Sequence, residues 1–378
     1  MKIRIITLFI FLVTALTITC CIDPFNPPST KTDVSLLVVD GFLNATDGSC
    51  TIKLSRTIPI SVDSAVHVEK DAKVQLLDDH DNSYLFTQSQ DGTYVVTSLP
   101  LNLAYKYKLK IVTKKNIEYQ SDLVAINKTP VIDSLNWGFE RTGVPVYVNT
   151  HDSENNTHYY SWIFTETWAY TSAYATNLKV VNDTVQYTNE DTYHCWQNSN
   201  SSAILINSST SLTEDIISEF PVTTIPWTSN KLLIKYSILV EQHALSKEGF
   251  EYAQLVKKNT ENLGTLFDPL PSNITGNIHC ITNPEEITIG FFNACTIETK
   301  RIFITYKDVN KHRPSNITVF TGYEGCELDS IKLDQAIYGV PVSQIYQGPV
   351  LVGYLTAPES CVDCIFLGGT RTKPDFWE

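Results

Sequence analysis

The sequence predicts a mainly β protein, and three observations support this class. The chain has 19 tyrosines and 16 phenylalanines but a single methionine, and aromatic and β-branched residues favour strands. Short segments alternate between apolar and polar residues, as half-buried strands do. Clusters of Asp, Asn, Ser and Gly separate these segments, which is typical of turns. The length of 378 residues exceeds the usual size of one core, so two domains are expected.

The first domain is predicted over residues 34–128. Turn signals recur there about every 8–12 residues, which is typical of an immunoglobulin-like β-sandwich. Cys50 is the only cysteine in this range, so the Cys…Trp…Cys pattern of antibody domains is missing. The predicted strands are 35–43, 51–55, 72–77, 84–86, 92–96, 105–111 and 118–121.

A larger β-rich domain is predicted over residues 129–378, beginning at Thr129-Pro130. A proline after a run of strands favours an extended boundary over a continued sheet. The domain therefore contains most of the chain. Its strand signals lie near 132–137, 159–170, 231–242, 276–281, 287–292 and 300–306.

One main α-helix is predicted near 247–263. Ser246 is a suitable N-cap, and Gly264 is a suitable stop. Glu248 lies in the first turn and Lys257 near the end, an order of charges that the helix dipole favours. The helix is thus an exception within a β-rich region.

The segment 159–170, YYSWIFTETWAY, has an unusual aromatic content. On a strand, alternate side chains lie on the same face of the sheet. The aromatic face could be a platform for a sugar or an apolar ligand, or it could pack inward as a core face, which aromatics on strands usually do. The residues that share this face are Tyr160, Trp162, Phe164, Trp168 and Tyr170, interrupted by Glu166.

The N-terminus predicts export and lipidation. Lys2 and Arg4 precede an apolar run from Ile5 to Leu16, which is too short to span a membrane but suits a signal peptide over residues 1–20. Cysteines follow directly, as in a bacterial lipobox. We expect Cys21 to be the lipidated residue, with Cys20 as the alternative. Residues 21–33 contain three prolines and predict a tether.

The charge of the chain argues against nucleic acid as a partner. The full chain has a formal net charge of −13. The predicted signal peptide contains two basic residues and no acidic ones, so the mature chain carries −15. Affinity for nucleic acid comes largely from Lys and Arg on phosphates. The lipid must therefore provide the membrane attachment.

Seven cysteines follow the lipobox, and in an oxidising compartment some are expected to pair. Connectivity cannot be read from the sequence. Cys361 and Cys364 form a C-x-x-C pattern without the βαβ context of a redox motif, so structural disulfides or buried thiols are favoured. The candidate disulfide cysteines are Cys195, Cys280, Cys326, Cys361 and Cys364.

No familiar catalytic motif is present, and we predict neither a catalytic site nor a cofactor nor a metal site. The sequence lacks G-x-S-x-G, H-E-x-x-H, the P-loop and G-x-G-x-x-G. The segment 151–158, HDSENNTH, has two histidines among acids, but a polar loop is the favoured interpretation. Asp78, Asp79 and Asp81 lack the spacing of an EF-hand and fit a hairpin tip better.

Several runs resemble a family of Bacteroidota lipoproteins catalogued as domain of unknown function 4249. The resemblance implies that Cys21 is lipidated, that the protein lies at the outer membrane, and that a TonB-dependent receptor is encoded nearby. It implies no catalytic residues. The runs that carry it are CIDPFNP at 21–27, LLVVDGFLN at 36–44, the segments 201–226 and 231–280, and CVDCIFLGGTRTKPDFW at 361–377.

The expected function is therefore that of a lipid-anchored cell-envelope accessory protein without enzymatic activity. It would bind a nutrient or contact a TonB-dependent receptor during uptake. One alternative is an envelope hydrolase whose site lies near Glu166 on the aromatic strand. Another is a structural or adhesive surface protein. The membrane face on which the protein lies stays open.

Overall fold

The structure is a computed structural model that describes residues 35–58, 67–261 and 275–377. Strands dominate these ranges, so the predicted mainly β class is confirmed. The predicted signal peptide, the tether and both candidate lipidation sites, Cys20 and Cys21, lie outside the described residues.

The first body consists of two sheets that share one core. The first sheet has six strands in the order β21-β1-β2-β7-β6, with β3 beside β2, and includes the later strand β21, Asn293–Cys295. The second also has six strands, in the order β20-β9-β8-β4-β5 with β10 beside β8, and includes the later strand β20, Ile278–Cys280. Leu37 and Ile52 from the first sheet meet Leu76 and Leu109 from the second in one apolar cluster. The strands from the N-terminal part of the chain are β1 Leu37–Asn44, β2 Ser49–Arg56, β3 His67–Val68, β4 Lys73–Asp78, β5 Ser83–Leu85, β6 Thr87–Gln90, β7 Thr93–Val96, β8 Lys106–Val112, β9 Glu118–Ser121 and β10 Val124–Ala125.

The second body also packs two sheets on a common core. One sheet has the order β11-β12-β18, and the other has the order β16-β13-β19-β22 with β17 beside β13. Val146 and Ile225 from the first sheet join Trp162 and Ile238 from the second in the core. The strands are β11 Ile132–Trp137, β12 Gly143–His151, β13 Tyr159–Thr171, β16 His194–Asn200, β17 Leu205–Ser208, β18 Ile216–Pro226 and β19 Lys235–Ala244, with β22 Ile297–Thr305 returning later. Between β13 and β16 the chain forms a separate hairpin of β14, Leu178–Val181, and β15, Thr184–Tyr187, which packs on the C-terminal lobe.

Two strands from the distant segment 275–296 complete the first body. Strand β20, Ile278–Cys280, pairs antiparallel with β9, and β21, Asn293–Cys295, pairs parallel with β1. Phe292 and Ala294 are buried in the first core. The predicted range 34–128 does not include these strands, since their pairing depends on contacts that no local pattern records.

The predicted strand at 287–292 is wrong. Ile289 forms only an isolated bridge to Val38. Gly290 adopts a φ of +142°, and a Cβ there would lie 2.3 Å from the carbonyl oxygen of Val39. The chain needs glycine at this close approach, which interrupts a regular strand.

The predicted helix is confirmed as α1, Lys247–Thr260, with the Ser246 hydroxyl accepting the Gly249 N–H. It ends earlier than predicted, and Gly264 lies outside the described residues. The preceding strand also differs from its predicted start at Lys231. A short 3-10 turn, Asn230–Leu232, capped by Ser229 delays the strand until Lys235.

The C-terminal part forms a small lobe beside the second body. Strands β14 and β15 form a hairpin, and a three-stranded sheet has the order β23-β25-β24. No helix in the described parts of the chain is long and apolar enough to cross a membrane. The remaining elements are α2 Tyr306–Val309, the 3-10 turns Asn310–His312 and Cys364–Leu367, β23 Asp329–Lys332, β24 Val340–Gln347, β25 Val350–Ala357 and α3 Glu359–Val362.

Candidate functional site

The aromatic face of β13 is part of the core. Trp162 is 1% exposed, and its indole N–H donates to Oε1 of Gln242 at 2.9 Å. The Gln242 amide in turn donates to the carbonyl of Pro130 and to the Thr150 hydroxyl. The ligand-platform interpretation is therefore wrong, because all five rings are buried in the second core. The five buried side chains are Tyr160, Trp162, Phe164, Trp168 and Tyr170.

Glu166 is held in a buried polar cluster. Its Oε2 lies 2.6 Å from Nζ of Lys231, and its Oε1 accepts the Tyr236 hydroxyl at 2.7 Å. Lys231 also lies over the ring of Trp168 at 4.7 Å. Burial, followed by the nearby carboxylate, raises the pKa of Tyr236. Both carboxylate oxygens of Glu166 thus have partners, and only 7% of the residue is exposed.

A serine, an aspartate and a histidine meet at the other end of β13, but not as a catalytic triad. The Ser209 hydroxyl donates to Oδ1 of Asp215, whose Oδ2 accepts the Tyr160 hydroxyl. Nδ1 of His158 lies 3.2 Å from the Ser209 hydroxyl. In a triad the carboxylate orients the histidine, whereas here it binds the serine directly. Ser209 is fully buried, so the cluster stabilises the loop before β18.

Residues 152–158 form the predicted polar loop, and His151 is the last residue of β12. Asp152 accepts backbone N–H groups from Glu154, Asn156 and Thr157, each at about 3 Å. Nδ1 of His151 lies 2.7 Å from Asp133. Within the described ranges, no group of three or more His, Cys, Asp or Glu side chains could hold a metal ion.

The aspartates at 78–81 form a hairpin tip between β4 and β5. Asp78 accepts the backbone N–H groups of His80 and Asn82, each at 2.9 Å. The Asn82 side chain also donates to Asp78. The carboxylate is therefore used to fix the turn, as predicted.

Two disulfides fasten the C-terminal lobe. Cys195 on β16 pairs with Cys364, and Cys326 pairs with Cys361. The two cysteines of the C-x-x-C pattern therefore bind different partners. Cys280 was a candidate for pairing, but it is a buried free thiol whose Sγ lies 3.8 Å from Glu286. Its place on β20 explains this, because the other candidates all lie near the lobe.

His243 is buried where the two bodies meet. Its ring packs edge-on against Phe42 of β1, with centroids 4.9 Å apart, and Nδ1 lies 3.8 Å from Sγ of Cys295. Nε2 is buried and has no hydrogen-bond partner within the described parts of the chain. Burial lowers the pKa of His243 to about 4 and raises the pKa of Cys295 to about 12. Both groups are therefore neutral at pH 7.

Acidification is expected to destabilise the protein through His243. The unfolded chain takes up the proton near pH 6.5, whereas the folded chain takes it up near 4. This stability is fully present above pH 6.5 and is lost as the pH falls toward 4. Between pH 7 and pH 5 the loss is about 2 kcal/mol.

Urea unfolding of the wild type and of His243→Gln at both pH values measures this contribution. The wild type should lose about 2 kcal/mol more than the variant over this interval. Equal losses in the two proteins would contradict the assignment to His243.

Two exposed tyrosines of the C-terminal lobe share one hydrogen-bond partner. Tyr187 at the end of β15 is 69% exposed, and Tyr346 on β24 is 56% exposed. Both hydroxyls donate to the same atom, Oε1 of Gln344, at 3.3 and 3.0 Å. We call Tyr187, Gln344 and Tyr346 the tyrosine surface. This surface was not predicted from the sequence. No strand was predicted where β15 and β24 lie, and no sequence pattern marked a tyrosine as exposed.

Further contacts hold the lobe against the second body. The Tyr170 hydroxyl donates to the carbonyl of Cys364 at 2.7 Å, and Trp196 and Thr370 exchange backbone hydrogen bonds. Arg371 forms ion pairs with Asp363 and Glu190. The tyrosine surface thus lies on a lobe that is already held in place, so binding would cost less conformational entropy.

These features define a β-rich protein of two double-sheet bodies with a disulfide-fastened lobe. The chain belongs to the family described as Domain of unknown function (DUF4249), whose model matches residues 22–301. The matched range covers the first body and most of the second, and it ends within β22. The tyrosine at 346 and three of the four disulfide cysteines lie beyond it. No curated protein matches the chain.

Proposed function

We propose that this protein is a lipid-anchored accessory protein of the bacterial outer membrane that binds a nutrient or contacts a TonB-dependent receptor during uptake. It acts by binding, without catalysis. The observation that carries this proposal is the tyrosine surface, in which two exposed rings are held by one amide on a fastened lobe.

Exposed tyrosines are suited to recognition. The ring offers apolar area to a sugar face or a protein side chain, and the hydroxyl oxygen, which already donates its proton to Gln344, can still accept a hydrogen bond. Because Gln344 already positions both hydroxyls, little rotamer freedom is left to lose on binding. The buried rings of β13 have no such access.

The N-terminal sequence supports the membrane anchor. Cys21 follows the apolar run and precedes the IDPFNP segment, in the position that the family resemblance implies for the lipidated residue. Several acyl chains give stable anchoring, with about 0.8 kcal/mol for each buried CH₂. The same resemblance implies that a TonB-dependent receptor is encoded nearby, and we propose this receptor as the partner. Because both would be held in the same membrane, the protein would stay close to the receptor without needing high affinity for it.

Removing the tyrosine surface is expected to weaken partner binding without unfolding the protein. In Tyr187→Ala/Tyr346→Ala, the loss of each ring that anchors a partner should weaken the binding free energy by about 2 kcal/mol, or the affinity by about 30-fold. The variant is made in the Cys21→Ala background, so that lipid does not mask the protein contact. Binding to outer-membrane vesicles that contain the receptor is then measured by sedimentation.

Leu85→Ala provides the control, because Leu85 is also exposed but lies on β5 of the first body. The Leu85→Ala variant should bind the vesicles with the affinity of the protein that has an intact tyrosine surface. Equal binding by the tyrosine variant and the control would remove the observation that carries the proposal.

A further inference from the structure

A groove of about 860 Å³ lies between helix α1 and strand β17. Tyr159 and Phe250 form its apolar end, with ring centroids 5.1 Å apart. Lys257 and Lys258 lie two helical turns further along and form its basic end. Ile206 and Ser208 of β17 line the opposite wall.

Strand β17 pairs with β13 along one edge, and the hydrogen bonds of β13 show which of its groups face outward. The carbonyl of Tyr159 accepts the N–H of Leu245, on the side of β19. Main-chain groups alternate along an antiparallel strand, so Tyr160 and Trp162 face β17. Their partners are Asn207 and Leu205. The N–H and C=O groups of Ile206 and Ser208 therefore point away from β13.

Neighbouring positions on this outer edge already have partners. The N–H of Ile204 donates to Glu261 and its carbonyl accepts Nζ of Lys257, both at 2.7 Å. The N–H of Ser208 donates to the side chain of Asn207 at 2.8 Å. Among the described residues, none is recorded as a partner of the outward N–H and C=O of Ile206 or the C=O of Ser208.

We propose that this groove binds an extended acidic peptide segment that adds to β17 as a further strand. The main chain of the peptide pairs with Ile206 and Ser208, as in other cases of strand addition to a sheet edge. Alternate side chains then face α1. One contacts Tyr159 and Phe250, and a carboxylate-bearing one reaches Lys258.

Charge complementarity selects the acidic peptide. Lys257 already lies 3.7 Å from Glu261. Lys258 is exposed and forms no ion pair within the described residues. The chain as a whole carries −13, so this basic end is a local exception to its charge. A peptide carboxylate would be attracted by Lys258 at this site and repelled by the net negative charge of the rest of the protein.

This peptide-binding activity goes beyond the proposed function, since it requires neither a receptor nor a lipid. The test uses the full mature chain in detergent and a phage-displayed library of random heptapeptides. Selected peptides are synthesised, and their affinities are measured by calorimetry. We expect extended sequences with at least one Asp or Glu.

Three changes separate main-chain pairing from other contacts. Ile206→Pro removes an outward N–H, and proline is tolerated at such an edge position; Ile206→Ala keeps the N–H and is its matched control. Lys258→Glu reverses the charge, and Lys179→Glu on β14 is its control. A peptide that is N-methylated at the amide facing β17 lacks the N–H that would donate to β17. It tests main-chain pairing with the wild-type protein, even if Ile206→Pro does not fold.

Weakening by about tenfold with Ile206→Pro, with Lys258→Glu and with the N-methylated peptide, but not with the controls, would support the proposal. Recovery of no peptide would overturn it. So would peptides whose affinity changes neither with Lys258→Glu nor with N-methylation.

Discussion

Replacing Cys195 and Cys364 together with alanine is expected to lower the free energy of unfolding by about 5 kcal/mol. The bond joins residues 169 positions apart, so it restricts a large part of the unfolded chain. It also fastens the 3-10 turn Cys364–Leu367 to β16 in the second core. Guanidinium unfolding followed by tryptophan fluorescence measures the change.

The second disulfide provides a graded comparison. Cys326 and Cys361 are only 35 positions apart, so replacing this pair should cost about 4 kcal/mol, less than the first. If replacing the first pair lowered the free energy of unfolding by less than about 1 kcal/mol, the other contacts of the lobe would be enough to hold it in place without the disulfide.

The Trp162→Ala substitution is expected to lower the free energy of unfolding by about 4 kcal/mol. The indole is buried between the two sheets and stacks on Phe220, with ring centroids 4.5 Å apart. Its loss leaves a cavity and removes the indole N–H that donates to Oε1 of buried Gln242. Chemical denaturation of the purified variant gives the magnitude.

Trp162→Phe separates the volume of the ring from its hydrogen bond, because it keeps most of the apolar bulk. We expect it to cost about 1–2 kcal/mol. If Trp162→Ala instead unfolded like the wild type, the ring could not be a core residue, and the ligand-platform interpretation of β13 would return.

Local patterns predicted most of the local structure. Alternation identified β4 and β8, whose buried and exposed residues follow the period of two. The Ser246 cap and the charge order identified α1. These signals depend on neighbours in the sequence, so a single chain is enough to read them.

Long-range pairing could not be read in this way. Strands β20 and β21 complete sheets whose other strands lie about 160 to 250 residues earlier. The alternation at 276–281 predicted a strand but did not say which sheet it joins. The partners of Cys361 and Cys364 were hidden for the same reason.

The candidate sites show a related limit. The aromatic run of β13 was conspicuous in the sequence, yet its rings are buried in the second core. Tyr187 and Tyr346 lie about 160 residues apart and meet at Gln344 through the packing of β14 against β24. Exposure depends on what covers a side chain, and this is a property of the folded chain.

The most direct test is to purify the lipidated protein from native outer membranes and to identify co-purifying proteins by quantitative mass spectrometry. The account predicts one TonB-dependent receptor in a near-equal amount, recovered through the wild-type protein and reduced with Tyr187→Ala/Tyr346→Ala. Recovery of the protein alone, or in a fraction that carries no lipid, would contradict it.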